Sequence, residues 1–481
     1  MNSSAFFEKN ESANYGDAEV NIASGGRDIV VISDLHLAGG VNMNGNYDGT
    51  ENFFADDSFQ RFLSYLQDCN EDKKLILIIN GDFIDFLRIR DIPQSNDDFS
   101  AWQKMLLSVG IQKSQQQLRD SIDKKEVEYG LKTNDYKSVW KLDKCIKGHK
   151  ILFQQLVAWL KNGNQLIIVK GNHDLEWYWE AVRNYLCYVL SEFAAEDQTD
   201  KSKSFNDNVL FVDNALIIDE RIYVAHGHLY ENFTFAAGEP TLNNNTELKL
   251  PFGSFFNRYL INRLELSYPF LDNVRPTQQI LPLLFRERFP LGIKVLFKYL
   301  PFTLLIIPKS MYKQALKYLT NFLMIVIVPV LITAFAIWQT VRSLPPAGDS
   351  SFVVKQLLAV VKNFGFLFLS YIFGRIMSMV QLSPPQAFFP FAQAVFTEKP
   401  HLQLVTFGHT HTPEQIRDND KWYINTGTWM PVFDTSIADV RTDKTYSYLY
   451  IHQDNNVVTK QLLRWNDDAL RAELMQLKDR K

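Results

Sequence analysis

Eight residues that can hold a metal ion or move a proton stand directly behind short apolar runs: Asp34, His36, Asp82, Asn172, His173, His226, His409 and His411. The chain has nine histidines, and five of them fall in this set. Oxygen and nitrogen donors without a thiolate suit manganese, iron, zinc or cobalt rather than a structural zinc. Seven or eight donors are too many for one such ion. They suit two ions that share a carboxylate. Two ions roughly 3.5–4 Å apart are the usual arrangement for in-line displacement at phosphorus, because they generate a hydroxide nucleophile and neutralise the phosphoryl oxygens.

The elements that must position these residues are strands. Residues 166–169 (LIIV) form a short apolar run that predicts a buried strand and stops at Gly171-Asn172-His173-Asp174. The same pattern recurs. Residues 28–33 run into Asp34-Leu35-His36, 75–79 into Asn80-Gly81-Asp82, 222–225 into His226-Gly227-His228, 402–407 into Gly408-His409-Thr410-His411, and 422–424 into Asn425-Thr426-Gly427. Open α/β sheets place ligands outside the carboxyl ends of their strands. Between the strands, 58–68, 151–160 and the aromatic-rich 176–190 have helical spacing, while 91–147 is polar, mostly helical and a candidate cap. Residues 195–208 are a polar loop. Residues 445–451 and 459–463 predict closing strands, followed by a charged terminal helix.

A chain of 481 residues predicts two to three domains. A net charge of −4 gives no general attraction to nucleic acid, so none is expected as a partner. The three cysteines, Cys69, Cys145 and Cys187, are far apart and odd in number, which predicts ordinary buried, reduced thiols and no disulfide frame. Residues 1–27 predict a flexible tail, and 1–26 lack the apolar stretch of a secretion signal.

With Asp34-Leu35-His36, Gly81-Asp82-Phe83-Ile84-Asp85, Gly171-Asn172-His173-Asp174, His226 and Gly408-His409-Thr410-His411 in this order, the chain resembles the calcineurin-like metallophosphoesterase superfamily. The match spans most of 28–230 and 400–430. The resemblance implies a β-sandwich flanked by helices and two divalent ions, manganese foremost, with iron, zinc or cobalt as alternatives. It implies that Asp34, His36 and His411 hold one ion, that Asp82 bridges, and that Asn172, His226 and His409 hold the other. His173 then protonates the leaving group, and Asp85 orients His173. The chain departs from phosphoprotein phosphatases at Phe86, where they carry a phosphate-binding arginine. Arg88 and Arg90 lie nearby, and for them a phosphate contact and an ordinary solvated position are equally open. A branch resembling UDP-2,3-diacylglucosamine pyrophosphatase has His-Gly-Asp where this chain has His226-Gly227-His228. His226 is the expected ligand because it follows the strand directly, with His228 lining the site. His149, His401 and His452 are expected at the surface or in packing.

A segment of different composition, 239–394, separates the two parts of this pattern, 28–238 and 395–470. Residues 319–341 are 23 in a row without a charge, long enough as a helix to cross a bilayer of about 30 Å. Residues 354–380 are the best candidate for a return span, since ligands before and after the insertion must meet on one side. Residues 239–318 read as amphipathic and interfacial, with Arg286, Arg288, Lys294, Lys298, Lys309, Lys313 and Lys317 placing the catalytic side in the cytoplasm. The expectation is thus an α/β metallophosphoesterase fold with an inserted transmembrane hairpin. It would hydrolyse a phosphomonoester, phosphodiester or pyrophosphate by attack of a metal-bound hydroxide, on a membrane lipid or membrane-proximal substrate. The alternatives are a nucleotide phosphohydrolase or phosphoprotein phosphatase merely anchored there, and a membrane scaffold without catalysis.

Overall fold

The computed structural model describes residues 19–196, 205–316 and 387–477 apart from short gaps, with scattered residues of 317–386. It divides into two units, Met1–Ile280 with Phe388–Lys481, and Leu281–Ala387.

The first unit is built on two sheets. Strands β1 (Glu19–Ile22), β2 (Asp28–Ile32), β3 (Leu75–Asn80), β4 (Gln165–Val169), β5 (Val209–Val212), β6 (Ala215–Ile218) and β7 (Ile222–Ala225) come before the second unit. Strands β8 (Leu404–Phe407), β9 (Glu414–Asp418), β10 (Lys421–Asn425), β11 (Ser447–Asp454), β12 (Val457–Asn466) and β13 (Arg471–Leu474) come after it. One sheet has the order β13-β12-β11-β2-β3-β4-β5 and the other β1-β6-β7-β8-β10-β9. β2, β3, β4 and β5 are mutually parallel, as are β7, β8 and β10.

The side-chain period of two explains why these strands are apolar throughout. Ile29, Val31, Ile76, Ile78, Ile167 and Val169 point to one face, where they share a core with Leu216, Ile218, Ile222, Val224, Leu404 and Ile424 of the other sheet. Val30, Ile32, Leu77, Ile79, Leu166 and Ile168 point to the opposite face. That face is covered by α1 (Asp56–Asp68), α2 (Asp135–Gly148), α3 (Lys150–Lys161) and α4 (Glu180–Glu196), through residues such as Phe62, Trp140, Trp159 and Leu186. The outer face of the second sheet carries α5 (Phe389–Glu398), which contributes Ala392, Val395 and Phe396. The polar stretch 91–147 joins the helix-side core through Trp102, Leu106, Val139 and Trp140.

Several expectations need correction. The transmembrane hairpin at 319–341 and 354–380 lies almost wholly outside the described residues. Among the described residues no helix is long and apolar enough to cross a membrane. The fold with an inserted hairpin and the placement in a membrane are therefore withdrawn. The physical reason is the length and charge of the helices that are described: Ile280–Glu287 has eight residues and carries Arg286, and the helical run from Phe289 to Leu305 carries Lys294 and Lys298. Residues 19–22, expected in a flexible tail, form β1 and pair in parallel with β6. The expected terminal helix is replaced by the end of β12 and by β13, because 471–474 complete the free edge of that strand. Cys69 is exposed, whereas Cys145 and Cys187 are buried.

The core between the sheets should dominate stability. Ile78 is fully buried there. Replacing Ile78 with Ala should lower the unfolding free energy by about 2–5 kcal/mol, seen as a lower denaturant midpoint with an unchanged slope.

Candidate metal centre

Parallel strands end together, so the carboxyl ends of β2, β3 and β4 in one sheet and β7 and β8 in the other open on the same edge. The two sheets are joined there. Asn80 Nδ2 donates to Ala225 O (2.9 Å), and the His409 backbone N–H donates to Asp34 Oδ2 (2.9 Å). Ser33 Oγ meets Thr426 Oγ1 at 2.7 Å, and Thr428 Oγ1 donates to Asp34 O at 2.6 Å. The turn Asn425-Thr426-Gly427 thus braces the site rather than entering it.

Five of the expected ligands leave their strands with left-handed backbone. Asp34, His36, Asp82, His409 and His411 have φ of 54°, 53°, 51°, 68° and 58°. Each such residue costs about 1–3 kcal/mol unless its surroundings hold it, and such strain concentrates at functional sites. Here the neighbouring loop holds it, since His36 N donates to Asp82 O (2.8 Å) and Asp34 N to Gly81 O (3.1 Å). Gly81 has φ 80°, and a Cβ there would lie on the His226 ring. A Cβ at Gly171 would strike Asp82 Oδ1, so the two motif glycines are what let the loops close in.

The side chains converge. Asp34, His36 and His411 form one group whose ligand atoms lie within 4.8 Å of one another, and Asp82, His226 and His409 form another. Asp82 Oδ2 lies 3.5 Å from His36 Nε2 and 3.1 Å from His226 Nε2, so it stands between the groups. His411 Nε2 is 3.3 Å from Asp34 Oδ1. Asn172 is buried behind β4, next to Gly171 and its contact with Asp82. Four buried atoms on these residues make no hydrogen bond: Asp34 Oδ1, His36 Nε2, Asn172 Oδ1 and His226 Nε2. A buried polar atom whose hydrogen bond is unmade costs about 1–3 kcal/mol, and Asp34 Oδ1, His36 Nε2 and His226 Nε2 have only ion-pair contacts within the cluster. Four such atoms on adjoining donors, with only oxygen and imidazole nitrogen among them, fit two divalent cations.

No protein-family model matches this chain, and no curated protein matches it either. The functional reading therefore rests on this geometry and on the motifs.

His173 is placed beside the cluster. It groups with His36 and Asp82, and its backbone N–H donates to Asp82 Oδ1 at 2.8 Å. Its Nδ1 is 2.8 Å from Asp85 Oδ2. The same oxygen lies 3.2 Å from His36 Nδ1, so Asp85 orients a ligand as well as His173. His226 is oriented in the same manner by Asn80 O, 2.8 Å from its Nδ1. Asp174, the fourth residue of its motif, accepts from Gly171 N, Phe83 N and Trp177 Nε1 and so ties two site loops together. Burial and the charge of Asp82 push its carboxyl up to about 7.

Other residues were not legible from the motifs. Glu231 Oε2 lies 2.8 Å from His409 Nε2, which leaves Nδ1 of that ring for an ion. His228 is buried, and burial together with His226 and His409 holds it neutral. Phe86 packs in the helix-side core. Arg88 is fully buried and paired with Asp85 and Glu265, whereas Arg90 donates to Glu128 O. His149 is buried between Glu51 and Asp56, and His452 pairs with Asp28.

Burial disfavours a charged imidazole, but at His36 the carboxylates of Asp34, Asp82 and Asp85 more than reverse this and raise the pKa to about 10. Asp82 and Asp34 likewise raise His226 to about 9 despite its burial. Both raised imidazoles stabilise the fold fully below the unfolded value of 6.5 and lose that contribution as pH rises through 9 to 10. Asp34 and Asp82 are held below their usual range by these histidines, against their own burial. An entering ion must displace the imidazole protons. Manganese binding at neutral pH should therefore release protons, and its apparent affinity should rise between about pH 6 and about pH 9. Calorimetry in two buffers of different ionisation enthalpy measures this. Equal heats in both would contradict it.

Proposed function

We propose that this chain is a phosphoesterase that depends on two divalent metal ions, manganese foremost. The observation that carries this reading is the convergence of Asp34, His36, Asp82, His226, His409 and His411 at one edge of the two sheets, with buried atoms that lack a hydrogen bond on three of them and on Asn172. Asp34, His36 and His411 would hold one ion, Asn172, His226 and His409 the other, and Asp82 would serve both. When bound, the ions supply a water of lowered pKa and neutralise charge developing on the phosphoryl oxygens.

The chain's own residues supply the rest. Burial works against a charged His173, but Asp85 and Asp82 outweigh it and raise its pKa. Asp85 takes Nδ1, so Nε2 is the ring atom that can carry a proton to the leaving oxygen. Asp85 is kept ionised by His173, His36 and Arg88 in spite of its burial. It therefore favours the imidazolium that donates the proton.

Two variants test this. Asp82→Asn removes charge shared by both ions. Metal content should fall and hydrolysis of a chromogenic phosphoester should drop to near background. Two bound ions with normal turnover in this variant, or no turnover by the manganese-loaded wild type, would sink the reading and favour a non-catalytic role. His173→Ala should keep both ions yet lose rate by roughly 10²–10⁴-fold on an alkyl phosphoester. A nitrophenyl ester, which needs little protonation, should suffer less, and an equal loss on both would count against the acid role.

A further inference from the structure

The segment 252–265 has an unusual polar side. Ser254, Arg258, Asn262 and Glu265 are spaced by four, four and three residues, a helical stripe, and all are buried. A helix normally buries its apolar stripe and leaves polar residues in water. Here Phe252, Phe255, Leu260 and Leu264 are buried as well. Arg258 Nη2 donates to Gly130 O (2.7 Å), and the other three are directed at the loops after β3 and β4. Ser254 Oγ donates to Asn172 O (3.2 Å), and Asn262 Nδ2 donates to Leu87 O (2.7 Å). Glu265 takes the forked end of Arg88, with Nη1 on Oε2 and Nη2 3.4 Å from Oε1. The segment passes through a π-turn at Asn257–Ile261, a distortion frequent at functional sites.

Arg88 is the link. Its Nε donates to Asp85 Oδ2 at 3.0 Å, the same oxygen that holds His173 Nδ1 and His36 Nδ1. Three donors compete for one carboxylate oxygen, while Asp85 Oδ1 is buried and makes no hydrogen bond. A guanidinium facing a lone carboxylate prefers a two-toothed fork. Glu265 occupies that fork, Nη1 also donates to Thr50 O (3.2 Å), and Asp85 receives Nε. We propose that Glu265 and Arg88 are positioning residues, and that Glu265 sets how firmly Asp85 holds His173 by drawing the guanidinium away from it. The segment 252–265 is then a working part of the acid side of the site rather than an appendage. This inference rests on the phosphoesterase reading for its kinetic consequence, though not for the coupling itself.

The experiment uses the full chain loaded with manganese. Glu265→Gln removes the charge but keeps the shape, so Arg88 should close on Asp85 and weaken its bond to His173. Turnover of an alkyl phosphoester should fall by about 10-fold. Turnover of a nitrophenyl ester should change little, with two ions still bound. Removing both charges, as Arg88→Met with Glu265→Met, should restore part of the loss, and Glu265→Asp should behave close to wild type. The downfield proton signal of His173 Nδ1–H, assigned by its absence in His173→Ala, should shift in Glu265→Gln and return in the double variant. Equal losses on both esters, or an unmoved signal in a folded Glu265→Gln protein, overturns the proposal. If Glu265→Gln fails to fold, Arg88→Lys decides, since it keeps the charge but cannot fork onto Glu265 while bonding Asp85: a shifted His173 signal supports the coupling and an unmoved one overturns it. If the wild type hydrolyses neither ester, the phosphoesterase reading fails while the signal still decides the coupling.

Discussion

Three fully buried carboxylates, Asp34, Asp82 and Asp85, lie at one edge of the two sheets. Taking an ionised carboxylate out of water costs several kcal/mol even after relaxation. Such charges persist only when surrounding cations and donors repay the loss. Everything near the edge answers to this requirement. His36, His226 and His411 face Asp34 and Asp82, and Arg88 faces Asp85. Backbone N–H groups of His409 and His173 donate to the same carboxylates. The left-handed turns at five of the site residues are the conformations that let short loops deliver these groups to one place. The apolar strands behind them supply the rigidity that keeps those turns from relaxing.

Much of the site was legible because its residues follow their strands at once. A carboxylate, carboxamide or imidazole one to three positions beyond an apolar run is a local pattern, and β2, β3, β4, β7 and β8 each show it. What local pattern cannot reveal is pairing across the chain. Arg88 looked as open to solvent as Arg90, yet its partner Glu265 is 177 residues away. Glu231 lies in a loop beyond β7 and meets His409 178 residues on. β1 and β9 were missed since edge strands alternate polar and apolar residues and so imitate loops. Apolar length in a sequence says how far a helix could reach, and among the described residues no helix is long and apolar enough to cross a membrane; those between Ile280 and Leu305 are short and interrupted by charge.

The buried polar stripe of 252–265 belongs to the same logic as the carboxylates. A polar group withdrawn from water adds little net stability even when fully paired. It does discriminate strongly between the paired arrangement and any other, since a partner left behind is costly. Ser254, Asn262 and Glu265 therefore fix the register of their segment against the loops after β3 and β4 more sharply than an apolar contact would.

The interrupted layout of the first unit also bears on how the protein is made. β2 lies between β3 and β11, so the centre of the seven-stranded sheet is completed by residues synthesised more than 400 positions after β2. β7 likewise waits for β8 across the whole second unit. Until then a nascent chain displays the open edge of β2 and the apolar face around Ile29 and Val31, which invites pairing with other chains. The edge that gathers the donor residues needs His409 and His411 as well, so its full donor set is among the last features to exist and only a nearly finished chain presents it.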